Sequence, residues 1–165
     1  MLTFGTNITT MAKINAETLS KLKVLLSSWT VFYQKTHTYH WDLTGENFLS
    51  FHKYLETLYD ESVKHTDYIA ERLRQLGEKT ALTLNSASSD SMVVDENAAD
   101  SVNGIAEDLI AGIARLTSLQ AEIYTEADEQ KDYVTADLMI QLSKWCEFNS
   151  WFLTSMVGEN SNTNE

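Results

Sequence analysis

From Asn47 to Leu76 the chain holds neither proline nor glycine, and apolar residues recur at intervals of three and four: Phe48, Phe51, Leu55, Leu58, Ile69, Leu73 and Leu76, with Ser62 on the same stripe. That pattern predicts one amphipathic helix of about eight turns at ~3.6 residues per turn. A helix of this length constrains everything else, because its apolar stripe has to be covered by other elements of similar length. The chain is equipped to supply them. It has no proline and only six glycines in 165 residues, so few positions interrupt a helix.

The polar face of the same helix carries two pairs of potential ligands. His52 and Glu56 are four residues apart, and so are Asp67 and Glu71, so each pair projects from one side. The interval from Glu56 to Asp67 is nearly three whole turns, which puts both pairs on almost the same face. Along the axis they stand roughly 16 Å apart at ~1.5 Å per residue. Metal–ligand bonds are on the order of 2 Å, so one straight helix cannot bring all four residues to one ion. Two copies set antiparallel about a two-fold axis near Glu61 and Ser62 can. His52 and Glu56 of one chain then come level with Glu71 and Asp67 of the other, and two identical sites form at once.

His40 can join such a site. It lies about a turn before the break at Gly45 and His52 lies at a similar distance after it, so a hairpin pivoting near Gly45 and Glu46 sets both at one height. Two imidazoles with up to three carboxylates and no thiolate suit iron or manganese, with zinc also allowed. Taken alone, the same spacing also fits an ordinary solvated helix with an acidic face. His37 and His65 fall outside the pattern and read as surface or packing histidines. Tyr39 and Trp41, on either side of His40, read as core.

Composition narrows the class. A chain of 165 residues is one domain by its length and long enough to bury a sound core. A single cysteine, Cys146, excludes an intramolecular disulfide and makes the reducing cytoplasm the expected setting; it reads as a small helix-packing residue. Residues 1–14 lack the basic start and apolar run of a signal peptide, and no stretch approaches the ~18 apolar residues of a membrane span. A formal net charge of −12 argues against a general nucleic-acid binder, whose affinity comes largely from phosphate neutralisation, and fits a protein that attracts cations.

The remaining elements follow in order. Residues 1–14 read as a flexible tail whose only charged side chain is Lys13. A first helix is predicted over Ala16–Asp42, with Asn15 as N-cap and Glu17 in the first turn. Leu19, Leu22, Leu25, Leu26, Trp29, Phe32, Tyr33 and Thr36 form its apolar stripe. The second helix ends at Gly77, a C′ glycine. Residues 78–103, rich in Ser, Thr, Asn and Asp, form a long crossover with a short helix predicted at Val93–Ala99. A crossover this long argues against a simple up-down bundle. A third helix is predicted over 104–126, with Ile105, Leu109, Ile113, Leu116, Leu119 and Ile123 inward. A fourth runs over Tyr133–Val157, and 158–165 is an acidic tail. The domain is thus an all-α four-helix bundle over 15–157. A di-iron site inside the bundle would call for Glu-x-x-His motifs, and no Glu here is followed three residues later by His.

His40-Trp41-Asp42-Leu43-Thr44-Gly45, Phe48, His52 and Glu56, followed by Asp67, Glu71-Arg72 and Gly77, resemble the Dps proteins, the mini-ferritins of starved cells. Thr135-Ala136-Asp137-Leu138 and the Glu147, Trp151 and Leu153 spacing match as well, so the resemblance covers about residues 16–157. It implies a ferritin-like four-helix bundle with one long crossover containing a short helix. It implies that His40, His52, Glu56, Asp67 and Glu71 form a ferroxidase centre shared by two subunits. The implied cofactor and substrate is iron, ferrous becoming ferric, up to two ions per inter-subunit site, with zinc or manganese able to substitute. Hydrogen peroxide is the expected oxidant, and the product is stored as ferric mineral in a dodecamer built from two-fold dimers. Trp41 is placed to intercept a stray oxidising equivalent. Aspartates near the last turn line three-fold pores in the family, which points to Asp128, Asp132 and Asp137, with Lys131 and Tyr133 making this pore less negative. The family's usual proline after the Gly77 position is missing. Many relatives that condense DNA do so through a Lys/Arg-rich tail; this chain has none, so the case for DNA binding is weak. The alternatives are a nucleoid-binding module of the same fold and a structural bundle without metal.

Overall fold

The protein's structure, a computed structural model, describes residues 14–45, 47–97 and 99–157. Five helices run through it: α1 (Ala16–Asp42), α2 (Phe48–Gln75), α3 (Leu84–Asp90), α4 (Val102–Glu129) and α5 (Tyr133–Val157). The described residues contain no strand. The four long helices form the bundle, α1 against α2 and α4 against α5, with α1 also packed on α4 and α3 lying against α1. The terminal tails lie outside the described residues, except that Ile14 is buried against the core.

Each helix end has a local cause. Asn15 Oδ1 accepts from the Thr18 N–H at 2.9 Å, satisfying one of the unpaired donors of the first turn of α1. α2 closes through Gly77, whose φ of +86° lets the Gly77 N–H reach the Arg74 carbonyl at 3.1 Å and the Glu78 N–H reach Leu73 at 3.0 Å. This is the paired 5→2 and 6→1 closure that glycine favours. Ser101 Oγ accepts from Gly104 N–H at 3.2 Å and starts α4 two residues earlier than the sequence suggests. α4 also runs on to Glu129 rather than 126.

The predicted stripes are buried in α2 and α4, with two departures at the ends of α2. Phe48 is 40% exposed and Leu76 is only partly buried; they are the first residue and the C-cap of the helix. The short crossover helix is a correction: it forms at Leu84–Asp90, not at Val93–Ala99. Thr83 and Ser86 make a reciprocal capping box there, Ser86 N–H to Thr83 Oγ1 at 3.1 Å and Thr83 N–H to Ser86 Oγ at 2.9 Å, and that local signal starts a helix. Val93 has another task. Its side chain is buried, and a Cβ at Gly112 would lie 3.2 Å from the Phe32 ring and 3.6 Å from Val93. The glycine on α4 thus makes room for the Phe32 ring of α1, with Val93 of the crossover in ordinary contact beside it.

Two polar features sit inside this core. Asp108 on α4 accepts from Lys35 Nζ at 2.5 Å and from the Tyr39 hydroxyl at 2.6 Å, tying α1 to α4. His65 packs edge-on between Trp29 and Trp145, with ring centroids at 4.7 and 5.1 Å. Burial pushes its pKa down to about 4, since a charged imidazole is disfavoured away from water. It is a neutral packing histidine, as its position outside the ligand pattern predicts.

Candidate metal centre

His40 lies in the last turn of α1 and His52 near the start of α2. The hairpin at Gly45, where φ is +94°, stacks their imidazoles with centroids 3.7 Å apart and planes 20° from parallel. Each ring is fixed by the other residue's backbone. His40 Nδ1 lies 2.9 Å from the His52 carbonyl, and His52 Nδ1 lies 2.9 Å from the His40 carbonyl. The His40 carbonyl belongs to the last turn of its helix and lacks an intrahelical donor, so the partner ring supplies one. A carbonyl only accepts, so Nδ1 carries the proton in both neutral rings. The lone pair then lies on Nε2 in both. That is the tautomer a metal ligand needs, and the backbone carbonyl fixes it.

Aromatic side chains surround the pair. Tyr59 stands edge-on to His40 with centroids 5.1 Å apart, and Phe48 leans on His52 at 4.8 Å. His37 stacks on Tyr59 and on Trp41. Burial, followed by the neighbouring His40, lowers the His37 pKa. Trp41 corrects the expectation of a core residue. It is 60% exposed, whereas Tyr39 is buried.

The carboxylates are arranged along α2, which is one unbroken helix. Glu56 is exposed one turn beyond His52, ~6 Å along the axis. Asp67 and Glu71 are exposed on the same helix, roughly 16 Å past Glu56 as the spacing demands. Among the described residues, no three His, Cys, Asp or Glu side chains of one chain converge to hold an ion. One chain therefore joins His40 to His52 with Glu56 a turn away, and leaves Asp67 and Glu71 apart from them. Asp67 lines a largely apolar groove of about 500 Å³ with Leu26, Tyr33, Val63, Ala70 and Leu82.

The turn before α5 contains what the sequence reading missed. Asp132 is 1% exposed. Its oxygens accept from Arg72 Nη2 at 2.6 and 2.8 Å, and Oδ2 accepts from Thr135 Oγ1 at 2.5 Å. Arg72 Nε also donates to Thr135 Oγ1 at 2.9 Å. Burial alone would raise the Asp132 pKa; the bonds from Arg72 and Thr135 outweigh it and hold the carboxyl below the usual carboxylate range. Asp132 thus serves inside the fold, joining α2 to the start of α5, while Asp128 and Asp137 stand exposed. The available signal was Arg72 itself, three residues after Ile69 and so at a buried spacing. Such a charge implies a buried partner.

No helix among the described residues is long and apolar enough to cross a membrane. Residues 19–161 match the family model described as a ferritin-like domain. The chain is 31% identical over 137 residues to general stress protein 20U of Bacillus subtilis, covering 81% of this chain and 92% of that protein. It is 29% identical over 136 residues to the DNA protection during starvation protein of Brevibacillus brevis, covering 80% and 89%. Its fold superposes on the crystal structure of Dps from Staphylococcus aureus with a TM-score of 0.83 at 26% identity, covering 88% of this chain and 98% of that one. Agreement in sequence, helix order and crossover places the chain in the ferritin-like family, among the Dps proteins.

Proposed function

We propose that this protein is a ferroxidase and iron store. Ferrous iron is held where His40, His52 and Glu56 of one chain meet Asp67 and Glu71 of a second, up to two ions to a site. Hydrogen peroxide takes two electrons from two ferrous ions and leaves as two hydroxides; the ferric product is stored as mineral in a hollow shell of twelve chains. The observation that carries this reading is the crossed pair of histidine–carbonyl bonds, which leaves a lone pair on Nε2 of each ring, with Glu56 one turn further along α2.

The residues divide the work. The carboxylates hold ferrous iron and stay with it as its charge rises, and the imidazoles bind more weakly from the α1–α2 side. Zinc or manganese suits the same donors. The protein supplies position and charge, and the electrons come from the metal. Trp41, exposed beside His37, is placed to intercept a stray oxidising equivalent. The apolar groove that ends at Asp67 is a surface for a second copy, as a two-chain site requires. Asp128 and Asp137 would line the three-fold inlet, with Lys131 and Tyr133 softening its charge, and the cytoplasm is the setting that suits iron storage.

Titration with ferrous ion, followed by ferric absorbance, tests the reading. The protein is expected to accelerate ferric formation with peroxide more than with dissolved oxygen. A rate equal to that of buffer, or full activity in a fraction that sediments as monomer, would count against it. Several relatives are named for DNA protection during starvation, and nucleoid DNA binding is the second reading. With −12 net charge, no DNA retention is expected in a gel shift at ~0.15 M salt, where charge attraction is screened beyond about 8 Å; a stable shift at that salt would favour the second reading.

A further inference from the structure

The carboxylate of Asp108 reaches further than the tie it makes between α1 and α4. Lys35 and Tyr39 stand one turn apart on α1, and both are buried. Both donate to the same oxygen of Asp108, Oδ2, Lys35 Nζ at 2.5 Å and the Tyr39 hydroxyl at 2.6 Å. The Lys35 ammonium also lies 5.9 Å from the centre of the Tyr39 ring. One carboxylate thus grips two successive turns on one side of α1. A helix held at two such points cannot rotate about its own axis without stretching both bonds. Bonds to a charged group are also roughly twice as strong as neutral ones. Tyr39 is held at its backbone too, where its carbonyl accepts from the Leu43 N–H at 3.0 Å and closes the helix.

His40 follows Tyr39 and is set about 100° further around the helix. The rotation of this one turn therefore aims both its ring and its carbonyl. The tolerance is small. An imidazole stands ~5–6 Å from the helix axis, so a rotation of ~20° displaces it by about 2 Å. That is enough to break a contact of 2.9 Å such as His40 makes with His52. Both crossed bonds share the dependence, because His40 gives its ring to one and its carbonyl to the other. We propose that Asp108 is a positioning residue for the metal centre: through Tyr39 it sets the rotation of the last turn of α1, and with it the tautomer of both His40 and His52. This rests on the ferroxidase reading and deepens it, since the Nε2 lone pair of each ring is what a metal takes. Asp108 lies sixty-nine residues from Tyr39 along the chain and acts on the centre only through α1.

The test reads the rings directly. Metal-free protein with isotope-labelled histidine is studied at about pH 8, above the ordinary range of histidine titration, and nitrogen chemical shifts show which ring nitrogen carries the proton. The chain's four histidines are assigned by replacing each in turn. Zinc affinity of the full chain is measured in parallel. The unsubstituted protein is expected to carry the proton on Nδ1 of both His40 and His52. Tyr39→Phe keeps the aromatic ring and leaves Lys35 on Asp108. It should bring up the Nε2-protonated form in both rings and weaken zinc binding by roughly 10–100-fold, the scale of a lost outer-sphere contact. Asp108→Asn should act in the same direction, and the double variant should add little, because the two changes break one path. Asp132→Asn loosens the fold elsewhere and should leave both tautomers fixed, which separates positioning from general loss of stability. The proposal is overturned by a single Nδ1-protonated form that persists in both Tyr39→Phe and Asp108→Asn, by unchanged zinc affinity in those variants, or by the same mixing of tautomers in Asp132→Asn or in the unsubstituted protein. Absence of ferric formation in the unsubstituted protein overturns the ferroxidase reading instead, and the tautomers are read independently of it.

Discussion

Mixing two inactive variants should restore activity. His52→Ala removes a ligand from one half of the proposed centre and Glu71→Ala removes one from the other half. Each alone should lose at least the roughly 10–100-fold that even an outer-sphere change costs a metal site. Each should keep its helical signal, because Glu71 is exposed and His52 half-exposed. In a dimer built from one chain of each kind, one site carries both lesions and the other carries neither. Random pairing of equal amounts makes half of the dimers mixed, so about a quarter of all sites are intact by the symmetry of a two-fold contact. Ferrous oxidation should return to about that fraction. A site confined to one chain would be damaged in every copy and mixing would restore nothing, so mixed dimers without rescue would falsify the shared centre. Full activity in both single variants would remove the ligand assignment itself.

The largest loss of stability is expected at a residue with no part in the chemistry. Asp132→Ala strands the Arg72 guanidinium, buried among α2 and α5, without its carboxylate. Breaking a buried pair in this way costs about 3–5 kcal/mol. For a chain of this size that lowers the thermal midpoint by roughly 6–20 °C. Asp132→Asn should be milder, because an amide oxygen can still accept from the Thr135 N–H, which lies 3.2 Å from Asp132 Oδ1. The pair also gives stability a pH dependence of known sign. The folded carboxyl has a lowered pKa, so the unfolded chain takes up the proton first as pH falls. The contribution is complete above the ordinary carboxylate range and is lost as pH drops through the lowered folded value. Unfolding of the unsubstituted protein and of Asp132→Asn, compared from neutral to acid pH, should show the difference between them shrinking. A constant difference would refute the linkage.

How far the sequence could be read depended on whether its signals were periodic or local. The α2 and α4 stripes repeat for seven or eight turns, and a repeat of that length permits one reading. The ends of α1 and α2 were legible because Asn15 and Gly77 have few other reasons to stand where they do. The crossover was harder. Val93 and Val94 look like the start of an apolar helix face, but Val93 is an anchor buried in the core beside Gly112, a position far away in sequence and near in space. The centre divides in the same way. The stacking of His40 on His52 follows from the hairpin, since both lie similar distances from Gly45. The crossed carbonyl bonds do not, because they depend on how the turn sets each ring against the other residue's carbonyl, and only the His40 carbonyl is one that a helix end leaves unpaired. The pairing of Asp132 with Arg72 was not legible, because the two lie sixty residues apart and a carboxylate in an acidic turn gives no local sign of being buried.

The crossed histidine–carbonyl bonds have a consequence for what change this chain can tolerate. They make the turn around Gly45 a ruler: its length sets the height at which each ring meets the other's backbone. A residue inserted there touches no ligand, yet it slides both imidazoles off their carbonyls together and frees both tautomers. The same insertion on the exposed side of the crossover, near Leu84, shifts nothing that either ring depends on. An insertion in the turn at Gly45 is therefore expected to cost both rings their fixed tautomers, while one near Leu84 is expected to leave them in place.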